Sequence, residues 1–291
     1  MNNIKFSVVI PLYNKGQSIV NTIKSVLGQS YQNFELVIVN DGSTDNSVNA
    51  VKSINDERIR LINQENQGVS AARNKGIKEA KFEWVALLDG DDLWETNHLE
   101  EIIKMMTVFP NEKVYVTSFE YSDKREMYRH VRKNSIFKIN NYFKEAIKES
   151  LIWTSIIVIN KNCFNSVGFF NTKLIRGEDL ELWARLAKKF NIIKSSKITA
   201  IYRIEAENRT DVTRKLEKTQ VYYLGFNQCT NCYECLYYKN ILFKRLLAYI
   251  YMCDIYNFFR LMNRYPKISY VGFPIFMLRF LSNKFLQKVS V

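Results

Sequence analysis

The chain has 291 residues, 47% of them hydrophobic, and carries 42 Lys and Arg against 29 Asp and Glu, a net charge of +13. That apolar share excludes a disordered chain, and with only four prolines and ten glycines no long flexible linker separates independent modules. A basic balance favours anionic partners (nucleic acid, anionic lipid or a phosphorylated substrate) over the plainer reading of a Lys-rich solvated surface.

The first part of the chain alternates strand and helix signals. The apolar run Phe6-Ser7-Val8-Val9-Ile10, closed by Pro11, predicts a buried strand. Ile19, Ile23, Val26 and Leu27 fall on one helical face. Phe34-Glu35-Leu36-Val37-Ile38-Val39 is a second strand, followed by Asn40-Asp41-Gly42-Ser43. A short helix through Val48 and Val51 follows, with Ser43 or Asp45 as its cap. Ile59 to Ile62 is a third strand, 69–80 a helix of small residues, and Trp84-Val85-Ala86-Leu87-Leu88 a fourth strand. Such alternation implies a mainly parallel sheet with helices on both faces. In such a sheet the polar clusters after the strands, at residues 11–14, 40–43 and 89–92, converge on one crevice beyond the carboxyl ends.

The middle section is less regular. Strands are expected over 114–120, 155–159 and 198–204, and helices over 142–149, near 162–167, and over 178–190. After about residue 206 the texture becomes helical, aromatic and basic. The expected division is therefore 1–205 and 206–291.

Asp89, Asp91 and Asp92 crowd three carboxylates into four positions after an apolar strand. Their repulsion is relieved by a cation, and hard oxygen donors suit Mg²⁺ or Mn²⁺ bridging to a substrate diphosphate. The plainer reading is a solvated turn in which Asp92 caps the next helix. No G-x-x-x-x-G-K-[ST] and no G-x-G-x-x-G accompanies these strands, which excludes a P-loop and a dinucleotide fold.

Five stretches in order, VVIPLYNKGQSI, FELVIVNDGSTDNS, NQGVSAARNKGI, VALLDGDD and GEDLELWARL, resemble the inverting family 2 glycosyltransferases of bacterial surface-polysaccharide type, over residues 4 to about 204. The resemblance implies the GT-A fold, a Rossmann-like α/β domain, here with a C-terminal helical extension. It implies a nucleotide-sugar donor, expected to be a UDP-sugar, a glycan or lipid-linked glycan acceptor, and Mn²⁺ or Mg²⁺ as cofactor. Pro11 and Tyr13 match positions lining the nucleobase pocket, and Asp41 matches the aspartate that binds base or ribose. Asn66, Gln67, Gly68 and Arg73 match the segment closing over the nucleoside. Asp89 and Asp91 match the metal- and ribose-binding pair. Asp179 matches the catalytic base, with Glu178 as its ambiguous neighbour. Trp183 matches an aromatic near the acceptor, with plain core packing as the alternative. The competing function is a nucleotide- or glycan-binding pseudo-glycosyltransferase acting as an interaction protein.

Other features stand outside this resemblance. Cys229, Cys232 and Cys235 form a C-x₂-C-x₂-C run that lacks a nearby fourth metal ligand. Cys163 reads as a core thiol and His98 as a capping or surface residue. Residues 219–291 hold 18 Phe and Tyr interleaved with Lys and Arg. That pattern fits peripheral contact with an anionic membrane, or docking on the catalytic domain, or a homodimer contact; nucleic-acid binding is not expected. No apolar stretch reaches the ~18 residues of a spanning helix, and the start of the chain lacks a signal-peptide pattern. The expected setting is cytoplasmic, at or near the inner face of the plasma membrane, with the five cysteines as thiols.

Overall fold

The structure is a computed structural model that describes residues 4–125, 135–207 and 215–289. Two compact units divide it, Met1–Asp211 and Val212–Val291.

The first unit opens with β1 (Phe6–Leu12), α1 (Ile19–Leu27), β2 (Phe34–Asp41), α2 (Ser47–Lys52), β3 (Ile59–Gln64), α3 (Val69–Glu79) and β4 (Trp84–Leu87). Every residue of β1 and β2 is buried, as a strand covered on both faces requires. Successive side chains point to opposite faces. Phe6, Val8, Ile10 and Leu12 of β1 share one core with Ile19, Ile23 and Val26 of α1. Val9 points the other way, against α3 at Gly76, where an added Cβ would lie 2.3 Å from a Val9 methyl.

The chain continues through β5 (Leu93–Trp94), α4 (His98–Val108), β6 (Val114–Tyr121), β7 (Ile136–Lys138), α5 (Tyr142–Ala146), β8 (Ile157–Asn160), α6 (Cys163–Val167), α7 (Glu178–Lys189) and β9 (Ile192–Tyr202). The sheet order is β3-β2-β1-β4-β8-β6-β9-β5, with β7 on β9. The pairings β3–β2, β2–β1 and β1–β4 are parallel. From β4 outward β8 runs antiparallel to both of its neighbours, and β5 and β7 run antiparallel to β9. The mainly parallel arrangement expected from sequence holds over β3-β2-β1-β4 and again between β6 and β9, with β8, β5 and β7 as the antiparallel members of a mixed sheet. β1 has β2 on one side and β4 on the other, so the strand order reverses between β1 and β4. In open α/β sheets a ligand crevice lies beyond the carboxyl ends of the strands at that switch point.

One element and two residues depart from expectation. β9 begins at Ile192, before the expected start, because its buried polar residues are paired: Ser195 Oγ donates to Glu101 at 2.6 Å, and Lys194 Nζ to the Leu151 carbonyl at 3.0 Å. Asp92 caps no helix; α4 is preceded by Asn97, and Asp92 is buried at the start of β5. His98 is neither capping nor at the surface. It is fully buried, stacked on Trp94 at 4.1 Å, with Nδ1 2.8 Å from Thr199 Oγ1. Burial lowers its pKa to about 3, so the imidazole is neutral.

The second unit contains α8 (Cys232–Tyr251), α9 (Ile255–Arg264) and α10 (Pro266–Val289). Side chains Asn231 and Asp254 cap α8 and α9 by accepting from Glu234 N and Asn257 N. Phe243 packs on Phe273 and Phe276 with ring centroids 5.9 and 5.3 Å apart, joining α8 to α10. Gly272 permits that approach, since a Cβ there would meet the Phe243 ring at 2.7 Å. All five cysteines are free thiols. Among the described residues no group of three or more His, Cys, Asp and Glu is placed to hold a metal ion.

Candidate active site

A cavity of about 510 Å³ opens at the carboxyl ends of β1, β2 and β4. Its lining includes Pro11, Tyr13, Asp41, Asn66, Gly68, Arg73, Asp89, Asp91, Glu178 and Asp179. Every residue expected there from sequence is present except Gln67 and Trp183.

Asp41 ends β2 and is almost wholly buried. Its Oδ1 accepts from Gln64 Nε2 at 2.8 Å and Gln67 N at 2.9 Å, and its Oδ2 from Gly68 N at 2.8 Å. The carboxylate thus fixes the turn that leads into α3. Gly42 is required beside it: its φ is +71°, and a Cβ would approach Asn66 N to 2.9 Å.

Arg73, on α3, bridges two acids. Its guanidinium meets Asp89 Oδ1 at 2.7 Å and Glu178 Oε1 at 3.0 Å, and lies over the Phe170 ring. Burial opposes its charge, but Asp89 and Glu178 outweigh burial and hold its pKa above the ordinary arginine value. Glu178 is thereby engaged. Asp179, next to it in the first turn of α7, accepts only the neighbouring Leu180 N at 2.7 Å among the described residues. Burial first, and then repulsion by Glu178, push its pKa up to about 7. The partial positive charge at the start of α7 would hold the carboxyl acidic, and burial overrides it.

Asp91 accepts from Lys15 Nζ at 2.6 Å. The same ammonium donates to the Glu207 carbonyl, and the Glu207 carboxylate accepts from Ser18 N at 3.0 Å. Burial raises the Asp91 pKa; Lys15 pulls it down and Asp89 pushes it up. Asp92 lies deeper. Ser155 Oγ donates to it at 2.6 Å, yet burial and then Asp91 and Asp89 hold its pKa well above the usual carboxylate range.

Six carboxyl groups and three cations, Lys15, Arg73 and Arg203, line the cavity. Even with Asp92 and Asp179 held toward their protonated forms, four carboxyl groups face three cations, which leaves no net positive charge to neutralise a diphosphate. Asp89 and Asp91 offer hard oxygens facing the space, the donor chemistry that suits Mg²⁺ or Mn²⁺ with water and phosphate completing the shell. In the structure each already faces a side-chain cation, so a divalent ion would compete with Lys15 and Arg73. The residues fit such an ion at that pair and form no closed protein cage for it.

Trp183 requires correction. It is fully buried, edge-on to Phe170 at 5.9 Å, and does not line the cavity. It lies on the core stripe of α7 with Leu182 and Leu186, so the plain packing reading holds. Sequence reasoning missed Lys15, Trp153, Thr154, Tyr202 and Arg203, all on the wall. Lys15 lies within the quoted stretch VVIPLYNKGQSI and was within reach. Arg203 was not: it follows β9, donates through its backbone N to Asp92 at 3.2 Å, and buries Nη1 without a hydrogen-bond partner among the described residues.

A parallel nucleotide-fold half, a mixed second half and an Asp-x-Asp pair at the switch point define a GT-A type α/β domain. The chain belongs to glycosyl transferase family 2, whose profile matches residues 7–169. It is similar to the Escherichia coli UDP-Glc:alpha-D-GlcNAc-diphosphoundecaprenol beta-1,3-glucosyltransferase WfgD, 32% identical over 77% of this chain and 87% of that protein. It is also similar to an uncharacterized glycosyltransferase of Rickettsia bellii, 31% identical over 72% of this chain but 30% of that protein, and to the Streptococcus pneumoniae glycosyltransferase GlyG, 41% identical over 34% of each. The chain therefore spans about a third of the length of several curated relatives it matches. Among solved structures, S. aureus TarS 1-349 in complex with UDP-GlcNAc superposes with a TM-score of 0.63 at 18% identity, covering 91% of this chain and 92% of that one. At that identity the likeness is one of fold.

Proposed function

We propose that this protein is an inverting glycosyltransferase that moves a sugar from a UDP-sugar to a hydroxyl of a lipid-linked glycan, in bacterial surface-polysaccharide synthesis. One observation carries the reading: Asp41, Arg73, the pair Asp89 and Asp91, and Asp179, from four separate segments, meet in one cavity at the switch point of the sheet. The acceptor class is supported by the similarity to WfgD, whose name specifies a diphosphoundecaprenol-linked GlcNAc. The nucleotide is supported by the TarS structures, solved with UDP and UDP-GlcNAc.

In this reading the nucleoside lies between Pro11, Tyr13, Asp41 and the 66–68 turn. The diphosphate points to Asp89 and Asp91, with Lys15 and Arg203 as nearby cations. A divalent ion at that pair would neutralise the leaving diphosphate as charge develops. Asp179 takes the proton from the acceptor hydroxyl while that oxygen bonds to the anomeric carbon and the bond from that carbon to the diphosphate oxygen breaks. Glu178 is held by Arg73, which favours Asp179 as the base. A single displacement needs no second nucleophilic carboxylate and inverts the anomeric centre.

The test is calorimetric titration of UDP, GDP and dTDP with and without Mn²⁺, on wild type and Asp91→Ala. UDP is expected to bind preferentially, more tightly with Mn²⁺, and the substitution to abolish the metal effect. Absence of binding by any nucleotide would sink the reading.

A further inference from the structure

The second unit carries a surface that the glycosyltransferase reading does not use. On α10 one stripe, Ser269, Phe273 and Phe276, faces the packing against α8. The opposite stripe is apolar as well. Tyr270, Val271, Pro274, Ile275 and Leu278 recur at helical spacing, and Val271 and Leu278 are 68% and 70% exposed. Helix α9 separately exposes Ile255, Tyr256 and Phe259, each by more than half. An exposed apolar surface of this extent marks an interaction site.

Charge identifies the partner. Residues 212–291 contain 12 Lys and Arg and three Asp and Glu, a net of +9. All three acids are engaged internally: Asp254 accepts from Asn257 N, Glu234 accepts from Thr230 N, and Glu217 meets Arg260 at 3.5 Å. Lys267 stands at the head of the exposed stripe of α10. With Lys239 and Arg264 it lines an open cavity that contains Tyr265, Asn227 and Gln228 and no carboxylate. A surface so positive repels a second copy of itself and attracts an anionic one.

The backbone sets the depth. Pro274 has no N–H, so the Tyr270 carbonyl loses its i+4 helical donor. A backbone group freed in this way is more readily satisfied at a wet interface than in the hydrocarbon interior. Among the described residues no helix is long and apolar enough to cross a membrane. Tyrosine and lysine beside aliphatic side chains suit the interfacial zone.

We propose that the outer stripe of α10 lies in the interface of an anionic lipid bilayer, with Lys239, Arg264 and Lys267 engaging headgroup phosphates. The inference deepens the lipid-linked acceptor reading, but its test needs neither donor nor acceptor, so either can fail alone.

The experiment is flotation of the full chain with phosphatidylcholine vesicles, alone or with about one third phosphatidylglycerol, at low and high salt. Wild type is expected to float with the anionic vesicles at least tenfold more than with the neutral ones, and less at high salt. Val271→Glu with Ile275→Glu, both at exposed positions, is expected to reduce flotation at least tenfold, with circular dichroism and UDP titration unchanged. Lys239→Glu with Lys267→Glu tests the headgroup contact separately and is expected to remove the preference for anionic vesicles. Wild type that floats with neither vesicle overturns the proposal, as does binding indifferent to both double substitutions. Light scattering that shows a dimer dissociated by Val271→Glu with Ile275→Glu, without vesicle binding, assigns the face to self-association instead.

Discussion

Glu178 and Asp179 are neighbours in one helical turn with opposite fates. Arg73 holds the first, while burial and that first carboxylate push the second up to about 7. A carboxyl with a raised pKa costs the folded state stability once it ionises. Its folded pKa lies above the ordinary 3.8, so the protonated form is the favoured one, and stability falls as pH rises from about 4 through about 7. The base form fills over the upper part of that window. Turnover limited by Asp179 should therefore rise with pH along a limb centred near 7, although a bound substrate and cation will move it. Asp179→Asn is expected to lower kcat by about 10²–10⁴ and to remove that limb. It should also raise the melting temperature at pH 8 relative to wild type, because the buried charge is gone. A variant with normal turnover would remove Asp179 from the chemistry; one with lost turnover and no gain in stability would mean the carboxylate is not strained.

At the scale of elements, what was legible followed apolar periodicity. β1, β2, β4, α1 and α7 were visible because burial on both faces, or on one stripe, demands unbroken or regularly spaced apolar residues. β9 was legible only in its second half, because Lys194 and Ser195 are buried through hydrogen bonds that a hydropathy pattern does not register. β5 and β7, two and three residues long, leave no periodic signal at all. Asp92 and His98 were misread for a related reason: a short polar residue near a helix start looks like a cap unless the tertiary fold covers it. Trp183 fits a motif and a core stripe equally well, and only its burial decides. The helix–sheet contact at Gly76 gives the sharpest test of the packing. A Cβ there would lie 2.3 Å from Val9 and 3.3 Å from Val39, both on rigid central strands. Gly76→Ala gains helix propensity but forces α3 outward, and should cost about 1–3 kcal/mol of stability by denaturant titration. Because α3 carries Arg73, UDP affinity should fall with it; a stabilised variant would show that the helix sits farther from the sheet.

For the whole molecule, the division into Met1–Asp211 and Val212–Val291 separates two kinds of surface. All the residues that line the candidate active site lie in the first unit, whose core is built from β1, β2, β4, α1 and α4. The exposed aromatic and basic stripe lies in the second, which has its own phenylalanine core. The two therefore call on different physics. Nucleotide binding depends on carboxylates and backbone turns fixed within the first sheet, whereas the second surface depends on apolar area and net positive charge. A chain ending at Asp211 should fold in one cooperative transition, because the sheet and the helices on its two faces are complete without the rest. It should bind UDP within about threefold of the full chain, a difference of about 0.65 kcal/mol at 25 °C. It should not float with anionic vesicles. Loss of UDP binding in a truncated chain that still melts cooperatively would show that residues after 211 contribute to the nucleotide site, and the separation of roles argued from the two cores would fall with it.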